Sequence, residues 1–179
     1  MPNMQKTKRL FIAVNLPQEV KNKIAEALDI IPKDRWRKVK AENLHVTLAF
    51  LGWQNKEQEK KAEQAMEKIS GYGEFEIELN GFGHFDGRVL WAGIGKGADE
   101  LTTLSKKLNE ELGTKDERFH SHITLARNKG AKRDDAKGLV EKLRETQLEK
   151  TIKIKSIELM QSILHTSGPE YHSIFSTEL

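Results

Sequence analysis

Two short stretches carry side chains that could do chemistry together. The first reads His45-Val46-Thr47-Leu48-Ala49 and the second His122-Ile123-Thr124-Leu125-Ala126. Each is a histidine, a β-branched aliphatic, a threonine, a leucine and an alanine. In a strand, side chains alternate faces, so residues i and i+2 project together. His45 and Thr47 then share one face, with Val46 and Leu48 behind them. His122 and Thr124 repeat the arrangement over Ile123 and Leu125. A single His-x-Thr is most simply the polar face of a strand. Its recurrence with a β-branched aliphatic, leucine and alanine in the same places is a much more specific pattern.

Imidazole, with an unperturbed pKa of about 6.5, can give or take a proton near neutrality. Two imidazoles facing each other suit displacement at phosphorus, which runs in line. One takes a proton from the attacking water, and the other gives a proton to the leaving oxygen. The Thr47 and Thr124 hydroxyls can donate to the non-bridging oxygens, which gather charge in the transition state. A strained five-membered cyclic phosphate needs no metal to react in this way.

The elements that must hold these residues follow from the pattern of apolar residues. Met1–Lys8 is polar and expected to fray. Arg9–Leu16 is an apolar run that predicts a buried strand. Pro17 opens a helix striped with Val20, Ile24, Leu28 and Ile31, and Pro32 ends it. Trp36–Val39 is a short extended piece. Leu44–Leu51 is the first motif strand, closed by Gly52. Asn55 and Gln58 form a capping box for a helix reaching Ser70. Phe75–Leu79 alternates as a half-wet strand, Gly81–Gly87 reads as a glycine-rich loop, and Arg88–Ile94 as a buried strand. A helix over 98–112 with Leu101, Leu104 and Leu108 inward leads to the second motif strand, Phe119–Arg127. A helix over Asp134–Thr146 comes next. Thr151–Leu164 is one long strand or two, and Tyr171–Thr177 is the last. Buried strand, helix, motif strand, helix thus occurs twice. Two similar halves about a pseudo-two-fold axis would set the motif strands face to face.

The chain has 179 residues, 37% hydrophobic and 32% charged, with a net charge of +3. One domain over 1–179, made of two lobes, is expected. The mild positive charge is compatible with a phosphate-bearing ligand. There is no cysteine, which excludes disulfides, thiolate metal sites and cysteine nucleophiles. No apolar signal core is evident and no run approaches the ~18 apolar residues of a membrane span, so a cytoplasmic protein is expected.

The chain resembles the two-histidine (2H) phosphoesterases, whose signature is two His-x-Thr/Ser motifs in one bilobal fold. Within them it is similar to the RNA 2′,3′-cyclic phosphodiesterases, LigT-like proteins also called 2′-5′ RNA ligases. The resemblance runs through Arg9–Pro17, Glu42–Gly52, Arg88–Trp91 and Arg118–Arg127. It implies an α+β fold with two antiparallel-rich sheets facing a central cleft and helices outside. It implies hydrolysis of a 2′,3′-cyclic phosphate end of RNA or a nucleotide to the 2′-phosphomonoester. His45 would be the proton donor, His122 the proton acceptor, and Thr47 and Thr124 would bind the phosphate. Arg127 matches a basic residue of the phosphate site, but strict alternation from His122 puts it on the opposite face, so the strand must end or bulge first. Phe50 has the same parity difficulty against His45: it matches a family aromatic near the base, but core packing is the expected role. Ser121 stands where the family usually has proline. No cofactor or metal is implied, and a monomer is expected. ATP-independent 2′-5′ ligation, the same in-line chemistry joining a 5′-hydroxyl to the cyclic phosphate, would be a side activity.

The remaining candidates have plainer readings. His120 is expected at the rim, His84 in the glycine loop, and His165 and His172 on the surface, while Tyr171 could reach the cleft. Arg35, Arg37, Lys38 and Lys40 read as a solvated loop. A non-catalytic module that holds RNA ends is the rival function, and the intact pair of histidines argues against it. A zinc hydrolase would need a third ligand, and no His-x-x-x-His or His-Glu-x-x-His spacing occurs.

Overall fold

Continuous apolar runs become strands covered on both faces, and the 3.6-residue stripes become helices laid against them. The structure, a computed structural model, describes residues 7–114, 118–146, 148 and 150–179. In chain order its elements are β1 (Lys8–Asn15), α1 (Gln18–Ala27), β2 (Trp36–Lys38), β3 (His45–Gln54) and α2 (Lys56–Glu67). Then come β4 (Phe75–Phe85), β5 (Val89–Ile94), α3 (Ala98–Leu112), β6 (His122–Asn128) and α4 (Arg133–Arg144). The chain ends with β7 (Thr151–Ile154), β8 (Ser156–His165) and β9 (Gly168–Glu178).

The strands run β7-β4-β5-β6-β3-β1-β8-β9, all pairings antiparallel, with β2 on β6. Read outward from the centre, each half is a motif strand, then a buried strand, then two more. The halves meet at the single pair Val46–Ile123. The expected α+β architecture with two related halves is therefore present: the half around β6 is the continuous stretch from β4 to β7 with β2 added, whereas the half around β3 combines N-terminal and C-terminal strands. β4, which comes after α2, lies beside β5, and β8 crosses back to lie beside β1.

One face of the sheet carries the core. Leu10, Ile12 and Val14 of β1, Val46 and Leu48 of β3, and Ile123 and Leu125 of β6 are buried there. Val20 and Ile24 of α1, Met66 of α2, Leu101, Leu104 and Leu108 of α3, and Leu139, Val140 and Leu143 of α4 belong to the same core. Burying each such side chain contributes about 1.5–3 kcal/mol. Leu28 and Ile31 are buried too, but α1 stops at Ala27 and a 3-10 turn carries Leu28. The Asn55 capping box forms as expected, with Gln58 N–H on Asn55 Oδ1 and Asn55 N–H on Gln58 Oε1, both 2.9 Å.

Both motif strands bulge at the same position. Along β1, Ile12 faces Ala49 and Ala13 faces Thr47, so Leu48 is an extra residue. Along β5, Leu90 faces Ala126 and Trp91 faces Thr124, so Leu125 is extra. A bulge leaves its residue out of the ladder, and its backbone groups need other partners. Ser105 Oγ of α3 donates to the Leu48 carbonyl at 2.7 Å, and Val39 N–H donates to the Leu125 carbonyl at 2.8 Å.

Several boundaries differ from those expected of the sequence. Gly81–Gly87 is mostly strand: β4 runs on to Phe85, and only Asp86 and Gly87 turn. Glycine at 83 serves packing there, because a Cβ would lie 2.2 Å from the Trp91 ring. Gly52 does not end β3. It adopts φ +71°, a conformation that favours glycine, beside a second bulge at Leu51, and β3 continues to Gln54. The second motif strand begins at His122 rather than Phe119, and of the two alternatives for 151–164 the chain takes two strands, β7 and β8. Of the segment expected to fray, Met1–Lys6 lie outside the described residues, while Lys8 already pairs in β1.

Candidate active site

β3 and β6 are neighbours, and each delivers its histidine at its first residue. Burial alternates as the motifs predict: His45, Thr47, His122 and Thr124 are half-buried, and Val46, Leu48, Ile123 and Leu125 are buried. The two imidazoles are held in the same way. His45 Nδ1 lies 2.6 Å from the carbonyl of Asn43, and His122 Nδ1 lies 2.6 Å from the carbonyl of His120. A carbonyl only accepts, so in both rings Nδ1 carries the hydrogen. Nε2 is left as the reactive nitrogen of each neutral ring. His45 Nε2 accepts from the Thr47 hydroxyl at 2.9 Å.

The bulges settle the parity of the residues beyond them. The extra residue at Leu125 returns Arg127 to the face of His122 and Thr124, meeting the requirement that strict alternation failed. The charge of Arg127 adds to the lowering that burial imposes on both histidines and opposes the rise that burial imposes on Tyr171, so it reaches all three. The same device acts on β3. Phe50 is 73% exposed on the His45 face, not packed in the core as expected. It lies on the row of Phe11, ring centroids 6.4 Å apart.

Burial pushes the His45 pKa down to about 4, and the charges of Lys21, His122 and Arg127 add to this. The Asn43 carbonyl opposes the shift. His122 is also lowered, first by burial and then by His120 and Arg127. Lys21 is 5% exposed and donates to the Glu42 carbonyl at 2.9 Å. Burial lowers its own pKa, while Glu158 and Glu42 pull it back up.

Aromatic rings support each histidine from the side. Phe11 lies 5.0 Å and Tyr171 5.4 Å from His45, Tyr171 edge-on. β9 thus carries Tyr171 into the cleft, where burial raises its pKa. Phe85 stands edge-on to His122 at 4.9 Å. His120 is more than a rim residue: its ring packs on Trp91 at 4.8 Å while its carbonyl holds His122. Phe85 and Trp91 were not singled out by the sequence, where alternation beside a glycine-rich stretch was the only available signal.

The other histidines lie apart from this chemistry. His84 Nδ1 accepts from Gly87 N–H, closing the β4–β5 turn. His165 and His172 both contact Glu170 at 3.0 Å at the tip of the β8–β9 hairpin. Of the basic cluster, Arg35 pairs with Asp135 and Lys38 with Asp29, while Arg37 faces Arg127 across β2 and β6. Among the described residues, no group of three or more His, Asp or Glu side chains is arranged to hold a metal ion. No helix among them is long and apolar enough to cross a membrane.

An antiparallel sheet curled so that two His-x-Thr strands lie side by side defines a two-histidine phosphoesterase architecture. The 2′-5′ RNA ligase superfamily model matches residues 16–165, and the chain belongs to that family. An RNA 2′,3′-cyclic phosphodiesterase of Aeropyrum pernix is 36% identical, covering 78% of this chain and 84% of its own. One from Archaeoglobus fulgidus is 30% identical, with 93% and 97% covered. The crystal structure of Escherichia coli LigT complexed with NADP+ superposes with a TM-score of 0.78 at 25% identity, covering 97% of this chain and 99% of that one.

Proposed function

We propose that this chain is an RNA 2′,3′-cyclic phosphodiesterase that converts a 2′,3′-cyclic phosphate end to a 2′-phosphomonoester. The observation that carries the reading is the matched pair of imidazoles, each with Nδ1–H fixed to the carbonyl two residues before it and Nε2 left for the reaction. Binding alone needs no such pair, which disfavours the RNA-end-holding module. The names of the relatives agree with the reading.

His122 takes a proton from water as the water oxygen bonds to phosphorus. The P–O3′ bond breaks, and His45 gives its proton to O3′. Thr47, Thr124 and Arg127 donate to the non-bridging oxygens as their charge grows. The depressed pKa of His45 leaves it neutral in the free protein at pH 7. A bound phosphodiester anion beside Nε2 favours the imidazolium and so supplies the proton donor when substrate is present. Phe50 offers its exposed ring to the base of the terminal nucleoside. Ligation follows the same steps with a 5′-hydroxyl in place of water: its oxygen bonds to phosphorus, its proton passes to His122, and O3′ leaves with the proton of His45, a side activity.

Phosphorus NMR of the product from a 2′,3′-cyclic nucleotide in EDTA, with wild type, His45→Ala and His122→Ala, tests this. The expected result is a 2′-phosphate whose formation collapses in both variants. A 3′-phosphate would reverse the leaving-group assignment, and absence of turnover by wild type would overturn the catalytic reading.

A further inference from the structure

The cleft face of β3 extends past the reacting groups. The register with β1 sets His45 opposite Asn15, Thr47 opposite Ala13, Phe50 opposite Phe11 and Trp53 opposite Arg9. Directly opposed residues project on the same side of a sheet. These four rows therefore share one face, the face opposite Leu10, Ile12 and Val14 in the core. Trp53 owes its place to the Leu51 bulge and the positive φ of Gly52, for without the extra residue it would turn toward the core.

Trp53 is 63% exposed, whereas Trp36 is buried and Trp91 is packed against Phe85 and His120. An indole left in water beside a second bare ring, Phe50, is costly unless something covers it. Arg9 lies next to it across the ladder, exposed, and no carboxylate pairs with it among the described residues. Burial raises the pKa of Tyr171, whose ring meets His45, and the charge of Arg9 opposes that rise, so its field extends into the cleft. Glu158 shares this face, opposite Ala13, but acts on buried Lys21, while Glu170, on the other face of β9, is held by His165 and His172.

Rows on one face of a strand are about 7 Å apart. That is commensurate with the step between unstacked bases of an extended single strand. Aromatic rings at such intervals beside a cation form the platform on which successive bases stack while the backbone is neutralised. Continuity with the histidines and the unpaired arginine favour a nucleic acid over a protein partner.

Building on the cyclic-phosphate reading of the site, we infer that Trp53 and Arg9 form a subsite for the nucleotide 5′ to the one bearing the cyclic phosphate. The base of that nucleotide stacks on Trp53, and Arg9 attracts the phosphodiester linking the two. The substrate is then an RNA end rather than a free cyclic mononucleotide.

The test compares kcat/KM for a cyclic mononucleotide and for a dinucleotide ending in a 2′,3′-cyclic phosphate. Wild type is expected to prefer the dinucleotide by about tenfold, the scale of one base–aromatic stack. Trp53→Ala is expected to bring the ratio to within about twofold of unity, and Trp53→Phe to keep most of it. Arg9→Ala is expected to reduce the preference and its salt dependence. Equal rates on the two substrates in wild type, or parallel losses on both in Trp53→Ala, would overturn the subsite. The mononucleotide rate reports on the catalytic reading by itself. Should neither substrate turn over, tryptophan emission is titrated with a dinucleotide ending in a 2′-phosphate. Quenching in wild type but not in Trp53→Phe supports the subsite, and no quenching overturns it.

Discussion

The side-chain amide of Asn43 donates a 2.8 Å hydrogen bond to the carbonyl of Pro169, 126 residues further along the chain. Asn43 precedes β3, and Pro169 lies at the opposite, outer end of β9. A twisted antiparallel sheet brings diagonal corners toward each other. Here the corners meet, and the β8–β9 hairpin closes over His45 with Tyr171. Because the Asn43 carbonyl also holds His45 Nδ1, this contact sets the imidazole from outside its own strand.

Asn43→Ala removes the tether and leaves the Pro169 carbonyl without its amide partner. A cost of about 1–2 kcal/mol is expected in denaturant unfolding. In kinetics, kcat should fall more than KM rises, because the imidazole loses orientation while the phosphate donors remain. A variant whose activity matches wild type at full folding would remove Asn43 from the positioning of His45.

Acid should weaken the fold through His45. Its folded pKa, about 4, lies below the ordinary value. The unfolded chain takes up a proton near pH 6.5, and the folded one does not until about 4. Stability is therefore complete above that unfolded value, declines as pH falls toward 4, and then levels off. His122 shifts in the same direction. Unfolding midpoints measured from pH 7.5 to 4 should show this slope, and His45→Gln should flatten it.

The reaction needs one proton shared by the two histidines, so kcat/KM should be bell-shaped. Both free-protein pKa values are lowered, which sets the maximum on the acidic side of neutrality. In kcat the bell should move to higher pH, because the bound phosphate stabilises both imidazolium forms. A kcat/KM maximum above pH 7 would contradict the shared-proton mechanism with these two groups.

Arg127→Ala should lower kcat by about 10²–10³-fold, the usual loss for one donor to developing negative charge. It should also raise the pKa of His45 and His122, since the guanidinium lowers both. Histidine NMR titration separates these effects. Loss of kcat with unmoved histidine pKa values would place the guanidinium outside their reach.

Gly83→Ala forces a methyl against the Trp91 ring. Overpacking of this kind costs about 1–3 kcal/mol. Trp91 supports His120, whose carbonyl holds His122, so activity should fall further than stability alone requires. Paired melting and rate measurements would reveal a loss confined to stability.

The His-x-Thr faces, the buried strands, the helical stripes and the Asn55 cap were legible because each depends on residues within a few positions. Phe50 and Arg127 were not, since their side of the sheet depends on one-residue bulges at Leu48 and Leu125. Nothing local marks those bulges. Their carbonyls are satisfied by Ser105 on a distant helix and by Val39 on a separate segment. Gly52 and Gly83 read as turn formers, yet one sits in a continuing strand and the other makes room for an indole.

The sequence by itself determined the two motifs, their duplication and the apolar backing that makes each a strand, because alternation and helical periodicity are local properties of the chain. Only the tertiary structure decided that the lobes exchange strands, that Arg127, Phe50 and Trp53 join the histidine face, and that Asn43 is fixed by Pro169. Those relations depend on sheet twist and register, which arise when strands far apart in the chain pair and shift each other by single residues.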